Sequence, residues 1–220
     1  MPKFQIYVDS ASDMPKTLRQ AHDIDYFRMN IVIGEKEYHA DLDFEEYGVE
    51  ELYAWIGDLD NRCHTSLVPA GEFLDKTEES LKRGLDVLYL ACACVLSGSK
   101  GVFDLAIETL ARKYPERKLI SVDTCRAGLA QGLIAIDVAK LRDEGKTIEE
   151  AVSYVEENKL KYNLCGTVST LTYLKAAGRV SEASAFFGNL FGVKPIIVAD
   201  VLPKKSLVSF HPSSVWPLLM

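Results

Sequence analysis

One stretch of the chain alternates between two hydrophobic patterns, and this alternation constrains the fold more than any other feature. Residues 87–92 form an unbroken apolar run, which is typical of a buried strand. After a turn of small residues, apolar side chains recur at helical spacing over residues 102–111. A second apolar run at 119–122 precedes a helical pattern over 128–144, which ends before Gly145. Strand, helix, strand, helix predicts an α/β protein built on a parallel sheet.

The remaining patterns predict a second domain. Thr147-Ile148-Glu149-Glu150 is a capping box, and the helix that it begins extends to about Lys161. We expect the end of this helix to separate an N-terminal α/β domain, residues 1–161, from a partial second α/β domain, residues 162–220. The other predicted strands span residues 4–8, 26–33, 165–168 and 195–198. The other predicted helices span residues 41–55, 173–175 and 183–191. In addition, Met14-Pro15 is expected to begin a short helix with Asp13 near its cap.

Composition argues against several classes of function. The net charge is −7 and no basic stripe is present, so nucleic acid is not an expected partner. No apolar stretch approaches the roughly 18 residues of a membrane span, and the N-terminus lacks the apolar region of a signal peptide. The five cysteines form no CxxC pair, which argues against a zinc site or a disulfide framework. We therefore expect a cytoplasmic protein without a metal or a cofactor.

Four clusters of small or polar residues are expected where the chain turns out of an apolar run: residues 9–13, Thr65-Ser66, residues 96–99 and Gly178-Arg179. They supply hydroxyls, backbone N–H groups and a guanidinium, but no convincing general base. Two of them are expected at the carboxyl ends of strands, where open α/β sheets bind ligands. This inventory favours binding of a carboxylate or phosphate over catalysis.

Each cluster also has a structural interpretation. Gly98 permits close approach of a ligand to a helix N-terminus, but Ser97 or Ser99 could simply cap that helix. The cluster at residues 9–13 could hold a metal or a ligand hydroxyl, although an Asx-type turn is favoured. An alternative function is a hydrolase or transferase that acts on an acyl or phosphate substrate through Ser97 or Cys125. As a nucleophile, Cys125 would need a lowered pKa, and Arg126 is the only adjacent cation.

Six short motifs occur in order over about residues 4–199. They are Asp9-Ser10-Ala11-Ser12-Asp13, Thr65-Ser66, Leu96-Ser97-Gly98-Ser99, Ser121-Val122-Asp123-Thr124, Leu174-Lys175-Ala176-Ala177-Gly178-Arg179 and Val193-Lys194-Pro195-Ile196-Ile197. Together they resemble the DegV family of bacterial fatty-acid-binding proteins. Residues 202–220 do not resemble the family, and we expect a truncation or a shifted reading frame there.

The resemblance implies a DegV-like fold of two α/β domains that hold one long-chain fatty acid in a tunnel between them. It also implies that the protein is not an enzyme. Its partner would be a separate, dihydroxyacetone-kinase-like fatty acid kinase, which makes an acyl phosphate for phospholipid synthesis. The family's carboxylate contacts correspond to Thr65 and Ser97, and Ser66 and Gly98 line the same turns. Arg179 would face the kinase or the carboxylate region.

Overall fold

The computed structural model describes residues 4–61, 63–168, 171–176 and 196–198. By its internal packing the chain divides into two compact units, Met1–Tyr162 and Asn163–Met220. None of the described helices is long and apolar enough to cross a membrane. Within the described residues the strands are β1 (Phe4–Asp9), β2 (Ile24–Phe27), β3 (Asn30–Ile33), β4 (Lys36–His39), β5 (His64–Ser66), β6 (Asp86–Ala91), β7 (Leu119–Asp123), β8 (Cys165–Thr167) and β9 (Ile196–Val198), and the helices are α1 (Lys16–Ala21), α2 (Val49–Gly57), α3 (Ala70–Lys82), α4 (Ser99–Ala106), α5 (Glu108–Lys113), α6 (Gly128–Asp143), α7 (Ile148–Asn158) and α8 (Thr172–Ala176).

A four-stranded parallel sheet with the order β2-β1-β6-β7 forms the centre of the first unit. This sheet confirms the predicted α/β class. All six residues of β1 are buried, because helices cover both faces of the sheet. On one face Ile6 and Leu88 pack with Ile134 of α6, and on the other Tyr7 and Tyr89 join a separate cluster. Burial on both faces explains why the strands have unbroken apolar runs rather than alternating patterns.

The second face of this sheet carries an aromatic cluster. The ring of Phe27 stacks on Tyr7 with centroids 4.4 Å apart and meets Phe73 of α3 edge-on at 4.6 Å. Tyr89 and Phe103 complete the cluster, with their centroids 5.0 Å apart. Aromatic pairs at these separations add to the stabilisation from buried area, so α3 is fixed against β2 and β6, and α4 is fixed against β6.

The predicted strand over residues 26–33 is wrong, because two strands in different sheets occupy that stretch. β2 belongs to the parallel sheet, whereas β3 pairs with β4 and β5 in an antiparallel sheet of the order β4-β3-β5. Between them, side chains bind the backbone in place of a strand. The Arg28 amide donates to Glu72 Oε1 at 3.1 Å, and the Met29 amide donates to Ser10 Oγ at 2.9 Å.

Three helix predictions also need correction. The stretch 41–48 is not helical, since the Asp41 carboxylate accepts from the amides of Asp43 and Glu45 and stabilises turns instead. The helical pattern over 102–111 is divided at Ile107 into α4 and α5. Asp13 does not cap α1; it adopts a left-handed conformation with φ 51°, and Pro15 is the N-cap residue.

Two predictions that depend on local signals at other helix ends are confirmed. Thr147 caps α7, and Thr147 and Glu150 form both hydrogen bonds of the capping box. Gly145 follows α6 with φ +89°, a conformation that glycine adopts without strain.

In the second unit, β8 and β9 form an antiparallel pair with Gly166 opposite Ile197. The short helix α8 includes the predicted residues 173–175. The predicted helix over 183–191 lies outside the described residues.

Candidate functional site

The strand order creates a switch point between β1 and β6. After β2 the chain crosses to the other side of β1, and it then continues outward through β6 and β7. Connections therefore leave in opposite directions from the carboxyl ends of β1 and β6. In open α/β sheets a crevice at such a point is the usual ligand position.

Asp9, the last residue of β1, occupies this switch point and is fully buried. One carboxylate oxygen accepts from Tyr89 Oη at 2.8 Å and from the Cys92 amide at 2.9 Å. The other accepts from the Ala11 amide at 3.1 Å and from Gln131 Nε2 at 3.3 Å. Burial raises the pKa of Asp9, and the four hydrogen bonds oppose this effect. Since its acceptor positions are occupied, the carboxylate joins β1, β6 and α6 instead of facing a ligand.

Ser10 also has a structural role, because its hydroxyl accepts from the Met29 amide. Ser12 is fully buried, and its hydroxyl has no hydrogen-bond partner among the described residues. Asp13 has the left-handed backbone described above and is exposed. No group of three or more potential metal ligands occurs in the described part of the chain. The turn interpretation of this cluster is therefore the one the contacts favour.

Thr65 and Ser66 lie in β5, at an edge of the antiparallel sheet. Thr65 is exposed and pairs with Ile31, whereas Ser66 is half-buried and pairs with Asn30. Successive strand residues point to opposite faces, so a ligand group on one face meets only one of the two hydroxyls. Within the described residues neither hydroxyl forms a hydrogen bond, which leaves both able to donate.

The loop before α4 is organised by its own serines. Ser97 Oγ donates to Ser99 Oγ at 3.0 Å and accepts from the Ser99 amide at 3.3 Å. Gly98 is the N-cap residue of α4, and no side chain makes the cap hydrogen bond. A Cβ on Gly98 would lie 3.5 Å from Leu67 Cδ1, so this glycine is covered by a side chain of the first hydroxyl loop.

The structure brings together the two segments that carry the predicted hydroxyls, residues 65–68 and residues 96–99, which are called the two hydroxyl loops below. The Val68 amide, three residues after Thr65, donates to Ser99 Oγ at 3.3 Å. Beside these hydroxyls, Leu67 is 41% exposed and Val95 is 78% exposed. Hydroxyl donors adjacent to open apolar side chains suit an amphiphile with a small polar head. Neither leucine nor valine at these positions was singled out from the sequence, because nothing in the local pattern distinguishes an exposed apolar residue from a core residue.

The features around Cys125 do not suit a nucleophile. Burial, followed by the nearby Asp123 carboxylate, raises the pKa of this thiol instead of lowering it. The adjacent Arg126 is buried, and its guanidinium donates to the carbonyls of Tyr162, Leu160 and Cys125. The charges of Lys159 and Arg126 lower the pKa of the Cys125 thiol, but they do not outweigh burial and Asp123. Arg179, the remaining predicted site residue, lies outside the described residues.

Tyr89 and Gln131 were not singled out from the sequence, although they hold the switch point. Tyr89 is 80 residues from Asp9 and Gln131 is 122 residues from it. A buried glutamine in the otherwise apolar face of α6 was the available signal, because buried amides require hydrogen-bond partners.

Comparison with known proteins gives a consistent result. A family model described as "Uncharacterised protein, DegV family" matches residues 3–206. A DegV domain-containing protein of Clostridium perfringens is 37% identical over 200 residues, which cover 91% of this chain and 68% of the relative. A DegV domain-containing protein of Lactococcus lactis is 27% identical over 210 residues, which cover 90% of this chain and 68% of the relative.

Solved structures agree in fold. A stearic-acid-binding protein from Eubacterium ventriosum superimposes with a TM-score of 0.81 at 24% identity, covering 90% of this chain and 67% of that one. A fatty-acid-binding DegV family protein from Thermus thermophilus superimposes with a TM-score of 0.76 at 26% identity, covering 96% of this chain and 71% of that one. DegV of Bacillus subtilis, described as a fatty acid binding protein, superimposes with a TM-score of 0.75 at 26% identity, covering 91% of this chain and 69% of that one.

Proposed function

This chain belongs to the DegV family, and we propose that it binds one long-chain fatty acid and presents the carboxylate to a separate, dihydroxyacetone-kinase-like fatty acid kinase. The kinase would form an acyl phosphate for phospholipid synthesis in the cytoplasm. The binding step is supported by the relatives from Thermus thermophilus and Bacillus subtilis, which bind fatty acids.

The observation that carries the proposal is the meeting of the two hydroxyl loops beside open apolar side chains. A carboxylate removed from water needs several hydrogen-bond donors. Thr65 and Ser97 would each supply one hydroxyl, but only the Ser97 hydroxyl already forms a hydrogen bond in the described residues. The Thr65 hydroxyl makes no hydrogen bond in the described residues. The Ser97 hydroxyl would exchange its bond to Ser99 for one to the ligand. Ser66 and Gly98 shape the two turns, and we place Arg179 near the carboxylate or the kinase.

Most of the affinity would come from the hydrocarbon. Burial of a roughly 16-carbon chain at about 0.8 kcal/mol per CH₂ contributes on the order of 12 kcal/mol before ordering losses. The hydroxyls then set the orientation of the head group. Hydrogen bonds from the two neutral hydroxyls also withdraw less charge than a tight ion pair would from the carboxylate oxygen that attacks a phosphoryl donor.

We also propose that the chain has no catalytic residue of its own. The thiol pKa values of Cys92, Cys94 and Cys125 are all raised, with burial as the largest cause, so none of them is an activated nucleophile. Ser97 bonds to Ser99 and not to a base. A carrier that depends on a separate kinase agrees with these features.

The test compares oleate with oleyl alcohol, which shares the chain but lacks the carboxylate. The double substitution Thr65→Ala with Ser97→Ala should weaken oleate binding roughly 10- to 100-fold, since each lost bond to a charged group is worth about 1.5–3 kcal/mol before partial replacement by water. Oleyl alcohol binding should change less than about threefold. The control for the exposed Thr65 is Thr109→Ala with Ser153→Ala, which removes one exposed threonine and one exposed serine from α5 and α7, and oleyl alcohol binding is the control for loss of the buried Ser97 hydroxyl.

Titration calorimetry of delipidated protein gives both affinities. Equal losses for oleate and oleyl alcohol would mean that the substitutions damage the fold, and an unchanged oleate affinity would refute the assigned head-group contacts. Turnover of generic ester or phosphate substrates by the protein alone, lost in Ser97→Ala, would replace the carrier function by an enzymatic one.

A further inference from the structure

Two cysteines lie side by side in the turns that follow β6 and β7. Cys94 follows β6 and Cys125 follows β7, and their amides donate to the same carboxylate oxygen, Asp123 Oδ1, at 3.2 Å and 2.8 Å. The two amide nitrogens are therefore no farther apart than the sum of these distances. A disulfide joins residues whose Cα atoms are about 4.4–6.8 Å apart, so the two backbones are close enough for one.

Neighbouring hydrogen bonds hold the two turns in this alignment. The Ala93 amide donates to the Arg126 carbonyl at 2.9 Å, and the Thr124 amide donates to the Ala91 carbonyl at 3.2 Å. Each of these four residues lies within three positions of one of the two cysteines. The cysteines are thus neighbours because the backbone of both turns is fixed, and not because of a single side-chain contact.

Both thiols are reduced and accessible. Cys94 is exposed and Cys125 is half-buried. The Cys125 thiol donates a long hydrogen bond, 4.0 Å, to the Asp123 carbonyl, which holds it weakly. Cys92 is a poorer partner for Cys94, because it is only 4% exposed and a bond within Cys-Ala-Cys would close a small, strained ring. The partner within reach of Cys94 is therefore Cys125.

We propose that Cys94 and Cys125 form a reversible disulfide when the protein meets hydrogen peroxide. The Cys94 thiolate attacks one peroxide oxygen and the O–O bond breaks, which leaves a sulfenic acid and a hydroxide that takes up the Cys94 proton. The Cys125 sulfur then attacks the sulfenic sulfur, the S–O bond breaks, and a second water leaves with the Cys125 proton. The two thiols lose two electrons, and the peroxide is reduced to two waters.

The pair suits a response to excess oxidant and not a permanent bond. Burial is the largest cause that raises both thiol pKa values, that of Cys94 to about 11. Each thiol is therefore mostly protonated near neutral pH, and oxidation is slow until peroxide accumulates. Once a sulfenic acid has formed, it condenses readily with a neighbouring thiol. Reversible disulfides of this kind are typical of redox sensing, whereas permanent ones form structural frameworks.

The bond would join two turns that hydrogen bonds now only align. The amides of Leu96 and Ser97 both donate to the carbonyl of Ala93, which adjoins Cys94, at 2.8 Å and 3.1 Å. A cross-link at Cys94 therefore restrains the turn that leads into Ser97. Its other end is anchored next to β7, a strand of the parallel sheet. Oxidation would fix the loop before α4 to that sheet.

The experiment treats the reduced full chain with excess hydrogen peroxide and blocks the remaining thiols with iodoacetamide in urea. The monomer band of a non-reducing gel is then digested with trypsin, which gives peptides 84–100 and 119–126, the first with Cys94 and the second with Cys125. Mass spectrometry should find these peptides joined and lighter than their sum by two hydrogen atoms. Dithiothreitol should separate them.

Single substitutions identify the two sulfurs. Cys94→Ser and Cys125→Ser should each abolish the joined peptides. Cys92→Ser, Cys63→Ser and Cys165→Ser should each retain them, and Cys165 is the matched control for Cys94 because both are exposed. Circular dichroism checks that each variant folds. The peptide map of the wild-type chain tests the bond even where a variant does not fold.

Three results would overturn the inference. The first is wild-type protein in which excess peroxide carries Cys94 to the sulfinic acid while Cys125 stays a thiol, since the two sulfurs then do not meet. The second is joined peptides that persist in Cys94→Ser and vanish in Cys92→Ser, which would assign the bond to Cys92. The third is a disulfide-linked dimer without joined peptides in the monomer band, which would mean that the exposed thiol reacts with a second copy.

Discussion

Replacement of Asp9 by asparagine is expected to destabilise the first unit strongly. The carboxylate is fully buried and accepts four hydrogen bonds, two on each oxygen, from Tyr89, Cys92, Ala11 and Gln131. An asparagine amide turns its NH₂ group toward one of these two pairs of donors, whichever way it is oriented. Two bonds are lost, and each leaves a buried donor unpaired at about 1–3 kcal/mol. The expected loss is therefore about 2–6 kcal/mol, which is a large part of the stability of an ordinary domain.

Urea unfolding followed by circular dichroism measures this loss. Asp13→Asn is the matched control, because Asp13 lies in the same turn, is exposed and has a left-handed backbone that asparagine tolerates. It should change the free energy of unfolding by less than about 0.5 kcal/mol. Tyr89→Phe, which removes a single donor to Asp9, should cost about 1 kcal/mol and remains measurable if Asp9→Asn does not fold. A loss below about 1 kcal/mol for Asp9→Asn would refute the role of Asp9 as the buried connector of the switch point.

Three further predictions concern stability. Thr147→Ala should lower the free energy of unfolding by about 0.5–2 kcal/mol in urea titrations, because it removes the cap of α7. Gly132→Ala should be destabilising by about 1–3 kcal/mol in the same assay despite the higher helix propensity of alanine, since its Cβ would lie 2.6 Å from Met14 Cγ; a stabilised variant would show that Met14 moves freely. Burial raises the pKa of Glu72, but hydrogen bonds from Arg28 outweigh it and hold the pKa below its ordinary value. This carboxylate should therefore stabilise the fold above its unfolded pKa and lose that effect as the pH falls through the lowered folded pKa, so Glu72→Gln should reduce the difference in urea midpoint between about pH 7 and about pH 3. An unchanged difference would contradict this assignment.

Several elements could be predicted from residues close together in the chain. The capping box at Thr147 and the glycine after α6 act within one turn of backbone, so their effect does not depend on the rest of the molecule. The strand β6 was recognisable because burial on both faces requires an unbroken apolar run. The loop at Ser97 was likewise recognisable as the end of such a run, whereas Thr65 follows a polar stretch and lies in β5.

Other features depended on partners that are distant in sequence. The break between β2 and β3 exists because Ser10 and Glu72 bind the intervening amides, and no pattern within residues 26–33 encodes those two side chains. The turn at Asp41 replaced a predicted helix for a similar reason, since one carboxylate bound two nearby amides and also the Tyr26 hydroxyl.

The amino-acid sequence by itself determined the α/β class, the main strands and helices, the end of α6, the cap of α7 and the family. Only the tertiary structure decided that Asp9 is a buried connector and not a ligand, that the Thr65 and Ser97 loops meet through Val68 and Ser99, and that Cys94 and Cys125 are neighbours. The physical reason is range: periodicity and capping act over a few residues, whereas the satisfaction of buried polar groups is settled by whichever remote segment folding brings within hydrogen-bond distance.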